Sequence, residues 1–320
     1  MRMTPWQAPA AGSIGPSPGK HSTLGSVASG RSQAGWLPVL TYHAIGSRGG
    51  LRSTPWITPE ALFEEQVGAL REAGCRLLPL TGALRAKLNS ADDGSGVGEE
   101  LDAGAMAASG RVVALTFDDG YADFAEHAFP VLDKVGAKAT LFVVSDCVGT
   151  TASWLPFGAV PDRRLLGWSD LIELAGNGIE IGSHGCRHLP LDTLPVAQAR
   201  EEIYRSRMDI AERIGLPEAF AYPFGYHNAV VRSLVARAGY YSASEVGRGL
   251  FSLSGDRMRV RRLLVDGSMS PEQLVSRLTG PAQLPGAFLR EMFRPVWRGA
   301  RRLRQPIWHP PPAMTTHHHA

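Results

Sequence analysis

Strand-like and helix-like segments alternate about seven times between residues 37 and 278. That alternation restricts the chain to a parallel sheet whose strands are joined by crossover helices. Short apolar runs rich in β-branched residues predict strands at 37–42, 76–78, 111–115, 139–144, 179–182, 220–222, 240–244 and 259–265. Helical periodicity falls between them, at 58–74, 80–88, 123–135, 168–177, 195–214, 229–238 and 271–278. Thr58-Pro59-Glu60 opens the first helix and Gly74 stops it; Gly136 and Gly178 end two others. Right-handed crossovers carry the C-terminal ends of all the strands to one face, so residues that directly follow strands converge on one rim. At 320 residues and 44% hydrophobic composition, a single α/β barrel accounts for most of the chain.

Three segments stand out along that body. Residues 1–35 are dominated by Gly, Pro, Ser and Ala and lack an apolar stretch of signal-peptide length, so they are expected to be disordered. Residues 36–280 form the expected catalytic domain, interrupted by a Gly-, Asp- and Ala-rich insertion at 90–109 and an irregular stretch at 145–166. Residues 281–320 are a basic tail of charge +5, which leaves −2 for the rest of a chain whose formal total is +3. In that tail Leu289, Met292, Phe293, Val296, Trp297 and Ala300 recur at helical spacing beside Arg290, Arg294, Arg298 and Arg302. Two readings fit equally: an amphipathic helix making peripheral contact with an anionic membrane, or a terminal helix packed on the barrel. Nothing else in the chain suggests nucleic acid, and oligomeric state is not legible. Three cysteines without C-x-x-C spacing make a disulfide framework improbable. With no signal peptide and no apolar run of spanning length, the expected location is cytoplasmic, with membrane-peripheral contact through the tail.

The chemistry lies at three predicted strand ends. Thr116-Phe117-Asp118-Asp119-Gly120 places two adjacent carboxylates where something must offset their repulsion: solvent, a cation or a shared proton. Ser183-His184-Gly185-Cys186-Arg187-His188 places two imidazoles four residues apart, within reach of one ion. With one aspartate they make a two-His-one-carboxylate set that leaves positions open for water and substrate, and the other aspartate can deprotonate the water so held. Asp-Asp-Gly alone is often a solvated turn, and His-x3-His alone is more often structural. Their joint occurrence at the ends of parallel strands is far more specific.

These motifs, followed by Tyr222-Pro223-Phe224-Gly225, resemble in order the first three motifs of the polysaccharide deacetylases, carbohydrate esterase family 4, in a branch with the Tyr-Pro-aromatic-Gly form. The resemblance covers roughly residues 37–280, including Leu40-Thr41-Tyr42-His43-Ala44-Ile45. It implies an irregular (β/α)7-type barrel and a metal-dependent hydrolase that removes N-acetyl groups from an amino-sugar-containing saccharide or its precursor. It also implies that Asp118 is the general base, that Asp119, His184 and His188 bind a divalent metal ion, with zinc the default, and that the backbone N–H of Phe224 helps hold the oxyanion.

Two positions depart from the pattern. Many relatives carry an arginine shortly before the Pro-aromatic-Gly turn, paired with the base; here that position is Ala221. Arg262 is a candidate replacement, although an ordinary surface arginine is the commoner occupant of such a site. The family's late Leu-x-x-His is also absent from Leu263-Leu264-Val265-Asp266-Gly267. His227 and His43 are the alternative proton donors, and Asp118 returning its own proton is a third route. These gaps keep two other functions open: a carbohydrate-binding barrel with weakened turnover, and a deacylase for another small amide.

Overall fold

The computed structural model describes residues 35–46, 56–92, 111–152, 154, 163–247 and 249–279. The tail 281–320 with its membrane contact, and all but the last residue of the expected disordered segment, lie outside the described residues, as does most of the insertion. In chain order the elements are β1 Trp36–Leu37, β2 Val39–Tyr42, β3 Ala44–Ile45, β4 Ile57–Thr58, α1 Glu60–Glu72, β5 Cys75–Leu78, α2 Leu80–Asp92, β6 Arg111–Phe117, α3 Phe129–Lys134, β7 Thr140–Val143, α4 Trp168–Gly176, β8 Glu180–Ser183, α5 Val196–Arg213, β9 Ala219–Ala221, α6 Ala229–Arg237, β10 Ser242–Gly247, β11 Phe251–Ser252, β12 Val260–Leu264 and α7 Pro271–Thr279.

Seven of these strands close into a parallel barrel in the order β2-β6-β7-β8-β9-β10-β12 and back to β2. The barrel is irregular because β6 is long. Its first half pairs with β5, from Cys75↔Arg111 to Leu78↔Ala114, and its second half with β2, from Val39↔Ala114 to Tyr42↔Phe117. The eighth strand therefore lies outside the ring. Short pairs β1–β11 and β3–β4, which the hydrophobic pattern is too brief to announce, flank it. Strand β10 starts at Ser242, two residues later than its pattern suggests, because Tyr240 packs on Phe220 at 5.1 Å in the outer layer. Among the described residues no helix is long and apolar enough to cross a membrane.

Alternation along the strands sorts side chains between two layers. Val113, Leu115 and Phe117 of β6 point outward and pack with Phe63, Val67 and Leu70 of α1. Val112 and Ala114 point inward and meet Val39, Phe142, Ala219, Ala221 and Val260. Above that apolar plug the interior turns polar. Thr41 and Thr116 share a hydroxyl hydrogen bond of 3.1 Å, and Thr116 donates to the Leu40 carbonyl at 2.8 Å. The next inward residues towards the mouth are Asp118 and, from β12, Arg262.

Candidate active site

Strand β6 ends at Phe117, and the two carboxylates part there. Asp118 keeps the inward direction of Thr116, its N–H held by the Tyr42 carbonyl at 3.1 Å. Asp119 adopts φ 75°, which turns its side chain away from its neighbour's. A left-handed residue thus produces the divergence of the two carboxylates. Asp119, His188 (φ 55°) and Phe224 (φ 59°) are the only non-glycine residues with positive φ among the described residues. Each such conformation costs about 1–3 kcal/mol, and strain of this kind gathers where function over-determines the backbone.

Asp119 Oδ1 lies 3.6 Å from His184 Nε2 and 3.3 Å from His188 Nε2, and all three residues are buried. His184 Nδ1 sits 2.8 Å from the Ala221 carbonyl. A carbonyl can only accept, so Nδ1 carries the proton and Nε2 turns a lone pair towards Asp119. Burial pushes the His184 pKa down to about 4, which keeps the imidazole neutral. Burial alone would raise Asp119, but the His188 hydrogen bond and the neighbouring imidazoles outweigh it and hold the carboxyl well below the usual range. Tyr121 closes over the cluster, its hydroxyl pushed up by burial and by a hydrogen bond to Asp119. A lone pair and a carboxylate facing each other in a buried pocket fit a divalent cation, and the Asp–His–His donor set suits one.

The loop that carries both histidines is clamped on two sides. His184 donates its N–H to Val143 at 2.8 Å, and Ser145 and Asp146 donate theirs to the Gly185 and Cys186 carbonyls at 3.1 and 3.0 Å. From beneath, the fully buried Glu202 of α5 accepts from the Cys186 and Arg187 N–H groups at 3.0 and 2.9 Å and pairs with the Arg187 guanidinium. Trp154 stacks on the His188 ring at 4.6 Å, and Phe224 meets it edge-on at 4.5 Å. Gly225 ends the Phe224 turn at φ 71°, where an added Cβ would come within 2.6 Å of the Val246 nitrogen.

Asp118 has the charged partner that Ala221 denies it. Arg262 is fully buried and donates to both carboxylate oxygens, at 2.6 and 2.7 Å, with a third bond to Thr116 at 3.2 Å. Ala221 on β9 and Arg262 on β12 both face the barrel interior, so the guanidinium reaches Asp118 from a different strand. Burial pushes Asp118 up, Arg262 outweighs it, and the carboxyl is held below its ordinary value, with His184 and His43 adding to the effect. Asp118 is therefore ionised at neutral pH.

Residues 105–243 match the polysaccharide deacetylase family model. The match spans less than half of the chain and stands as a likeness to that family. The chain is 28% identical over 235 residues, 73% of each chain, to the Bacillus subtilis protein YxkH, named provisionally as a polysaccharide deacetylase. The Streptococcus pyogenes deacetylase PplD in complex with acetate superposes with a TM-score of 0.63 at 24% identity, covering 77% of this chain and 99% of that one. A de-N-acetylase from Aggregatibacter actinomycetemcomitans gives 0.61 at 21%, covering 75% and 99%. Those two structures share the fold, which the domain here realises as a closed seven-stranded parallel barrel with outer helices.

The two candidate acids separate clearly. His227 is buried away from the acidic pair: Glu245 takes its Nε2, Arg232 approaches its Nδ1 at 3.3 Å, and its ring packs on Tyr222 at 4.6 Å. Both ring nitrogens are engaged, so the expectation that His227 donates a proton to substrate gives way. His43 instead lies with Nε2 3.9 Å from Asp118 Oδ2. Residue patterns had not singled out Glu202, Trp154, Tyr121 or Trp56. Glu202 was legible: it falls on the core stripe of α5 with Ala199, Ile203, Ser206 and Ile210, where a carboxylate needs a partner.

Proposed function

We propose that this chain is a metal-dependent N-deacetylase acting on an amino-sugar-containing saccharide or its precursor, in the Tyr-Pro-aromatic-Gly branch of carbohydrate esterase family 4. The observation that carries the reading is a base aspartate held ionised by a buried arginine, directly beside an Asp–His–His metal cluster.

Asp119, His184 and His188 would hold the ion, with zinc the default for this ligand set. A bound divalent ion polarises the acetamide carbonyl and lowers the pKa of water beside it. Asp118 accepts the proton from the attacking water on its carboxylate, with Arg262 keeping that carboxylate charged and oriented. The backbone N–H of Phe224 is the donor assigned to the developing oxyanion. His43 is the assigned proton donor to the departing amine. Strands β2 and β12 run parallel with Leu264 opposite Thr41, so the register carries His43 to the level of Asp266, the residue that stands where the late motif has histidine. A neighbouring strand thus offers an imidazole at the same height of the rim.

The weakened-barrel alternative drew on an unpartnered base and a missing acid; the Arg262–Asp118 pair and the imidazole of His43 beside it support turnover instead. Purified protein loaded with zinc should release acetate from N-acetylated oligosaccharides. Asp118→Asn should lose at least about 100-fold in kcat, within the range for general-base catalysis. His43→Gln should lower kcat while leaving bound metal stoichiometric. Equal acetate release by the native protein and Asp118→Asn would overturn the assignment.

A further inference from the structure

The turn that carries Phe224 is strained, and it is held by groups that take no part in the chemistry above. Pro223 has no N–H, and Gly225 and Tyr226 donate theirs to the Tyr222 and Pro223 carbonyls at 2.7 and 3.2 Å. Phe224 is the turn residue whose N–H the proposed reaction draws on. The direction of that N–H depends on φ 59° and ψ 6°, a conformation that a non-glycine residue keeps only where its surroundings impose it. Those surroundings are the last residues of β10. At the upstream end Tyr222 donates its N–H to the Ser244 carbonyl at 3.0 Å, and its hydroxyl to the Met258 carbonyl at 3.0 Å. In the middle, Gly225 rests directly on Val246, where a Cβ would clash. At the downstream end His227 meets Glu245, and both side chains are only 2% exposed.

Charged groups fix that last contact from both sides. Glu245 lies between Arg259 and Arg261, whose Nε atoms are 3.7 and 3.6 Å away. Beside two guanidinium groups the carboxylate accepts, so His227 Nε2 carries the proton. Arg232, which can only donate, faces the Nδ1 lone pair at 3.3 Å. The imidazole is thereby set in tautomer and in orientation. A buried ionic pair adds little stability over well-packed apolar residues; a fully partnered polar network supplies one defined geometry. We propose that Glu245 and His227 are positioning residues for the reaction: they latch residues 222–227 onto β10 and so aim the Phe224 N–H at the developing oxyanion. Neither touches the substrate. The inference rests on the N-deacetylase reading above.

His227→Ala opens the latch while leaving Glu245 its arginines, and His227→Gln keeps an N–H donor for Glu245 but has no imidazole proton to give away. Acetate release is measured with zinc-loaded protein and β-1,4- and β-1,6-linked tetramers of N-acetylglucosamine. His227→Ala should lose about 10- to 100-fold in kcat at unchanged KM and zinc stoichiometry, because an oxyanion donor acts only in the transition state. His227→Gln should recover to within about 3-fold of native kcat, as expected when only the donor to Glu245 matters. The double variant Glu245→Ala/His227→Ala should be no slower than the slower single variant, since both break the same contact. Without substrate, amide hydrogen exchange should quicken across residues 222–228 in His227→Ala and stay native around His184. His227→Asn, too short to reach Glu245, repeats the comparison should the alanine variant fail to fold. Native kcat or native exchange in the turn of His227→Ala refutes the latch while the deacetylase reading stands. A His227→Gln enzyme as slow as His227→Ala refutes it too, and returns His227 to the role of proton donor. Absence of acetate release from both tetramers by the native protein would instead remove the deacetylase reading and this inference with it.

Discussion

Replacing Arg262 by methionine gives the sharpest test of how this site is built. The side chain is fully buried and delivers two hydrogen bonds to Asp118, at 2.6 and 2.7 Å, while its guanidinium rests 5.4 Å over the Phe142 ring. Methionine keeps most of the volume and removes the charge. An ionised Asp118 would then be buried without its partner, at a cost of about 3–5 kcal/mol. The carboxyl can escape part of that cost by taking a proton. An adjacent opposite charge lowers a carboxyl pKa by about 1–3 units, and here burial would act unopposed once that charge is gone. The acidic limb of the kcat/KM profile should therefore move up by at least about 1–3 pH units. The sign of the stability effect follows. Native Asp118 has a depressed pKa, so its contribution is present above the ordinary carboxylate value and disappears as pH falls through the folded one. The stability gap between native and Arg262→Met proteins should be widest near pH 7 and narrow on acidification. Urea unfolding at several pH values measures it. The double variant Asp118→Asn/Arg262→Met should regain much of the lost stability, because a neutral amide needs no counter-charge. Acidic limbs that superimpose in the two enzymes, or a pH-independent stability gap, would show that Arg262 does not govern the base.

Glu202→Ala should loosen the histidine loop by stripping the acceptor from two backbone N–H groups and the partner from Arg187. Metal affinity, read by chelator competition, should fall about 10- to 100-fold, with Glu202→Gln intermediate; unaltered affinity alongside a lowered melting temperature would reduce Glu202 to a fold residue. In metal-free protein, His184 stays neutral to about pH 4 while the unfolded imidazole titrates near 6.5. The unfolded chain binds the extra proton in that window, so stability should fall as pH drops from 6.5 towards 4. The upper bound is about 3 kcal/mol, and a His184→Gln variant with the same pH slope would contradict it.

Much of the fold could be read from local pattern. The helices α1, α4, α5 and α6 and the strands β2, β6, β7 and β8 carry strong periodicity and glycine stops, and alternating elements leave few topologies open. The motifs at Asp118, Asp119, His184 and His188 were legible because a parallel sheet sends every strand end to one rim. The short strands β3 and β4 were not, since two-residue pairs leave no period to detect. His227 misled because sequence proximity to the Pro223-Phe224-Gly225 turn says nothing of direction, and its ring turns to Glu245.

The sequence alone determined that a carboxylate pair and a histidine pair would meet at one end of a barrel, because hydrophobic period and crossover handedness are local rules. It offered Arg262 as a candidate counter-charge and His227 and His43 as candidate acids without choosing among them. Only the closed ring decided which of these side chains stand beside Asp118. It brings Arg262 from β12 across the interior to the end of β6, 144 residues away in the chain, and sets His43 beside the same carboxylate. Charge compensation of a buried group is satisfied by whatever lies nearest in space, and which strand lies nearest is a property of the closed sheet.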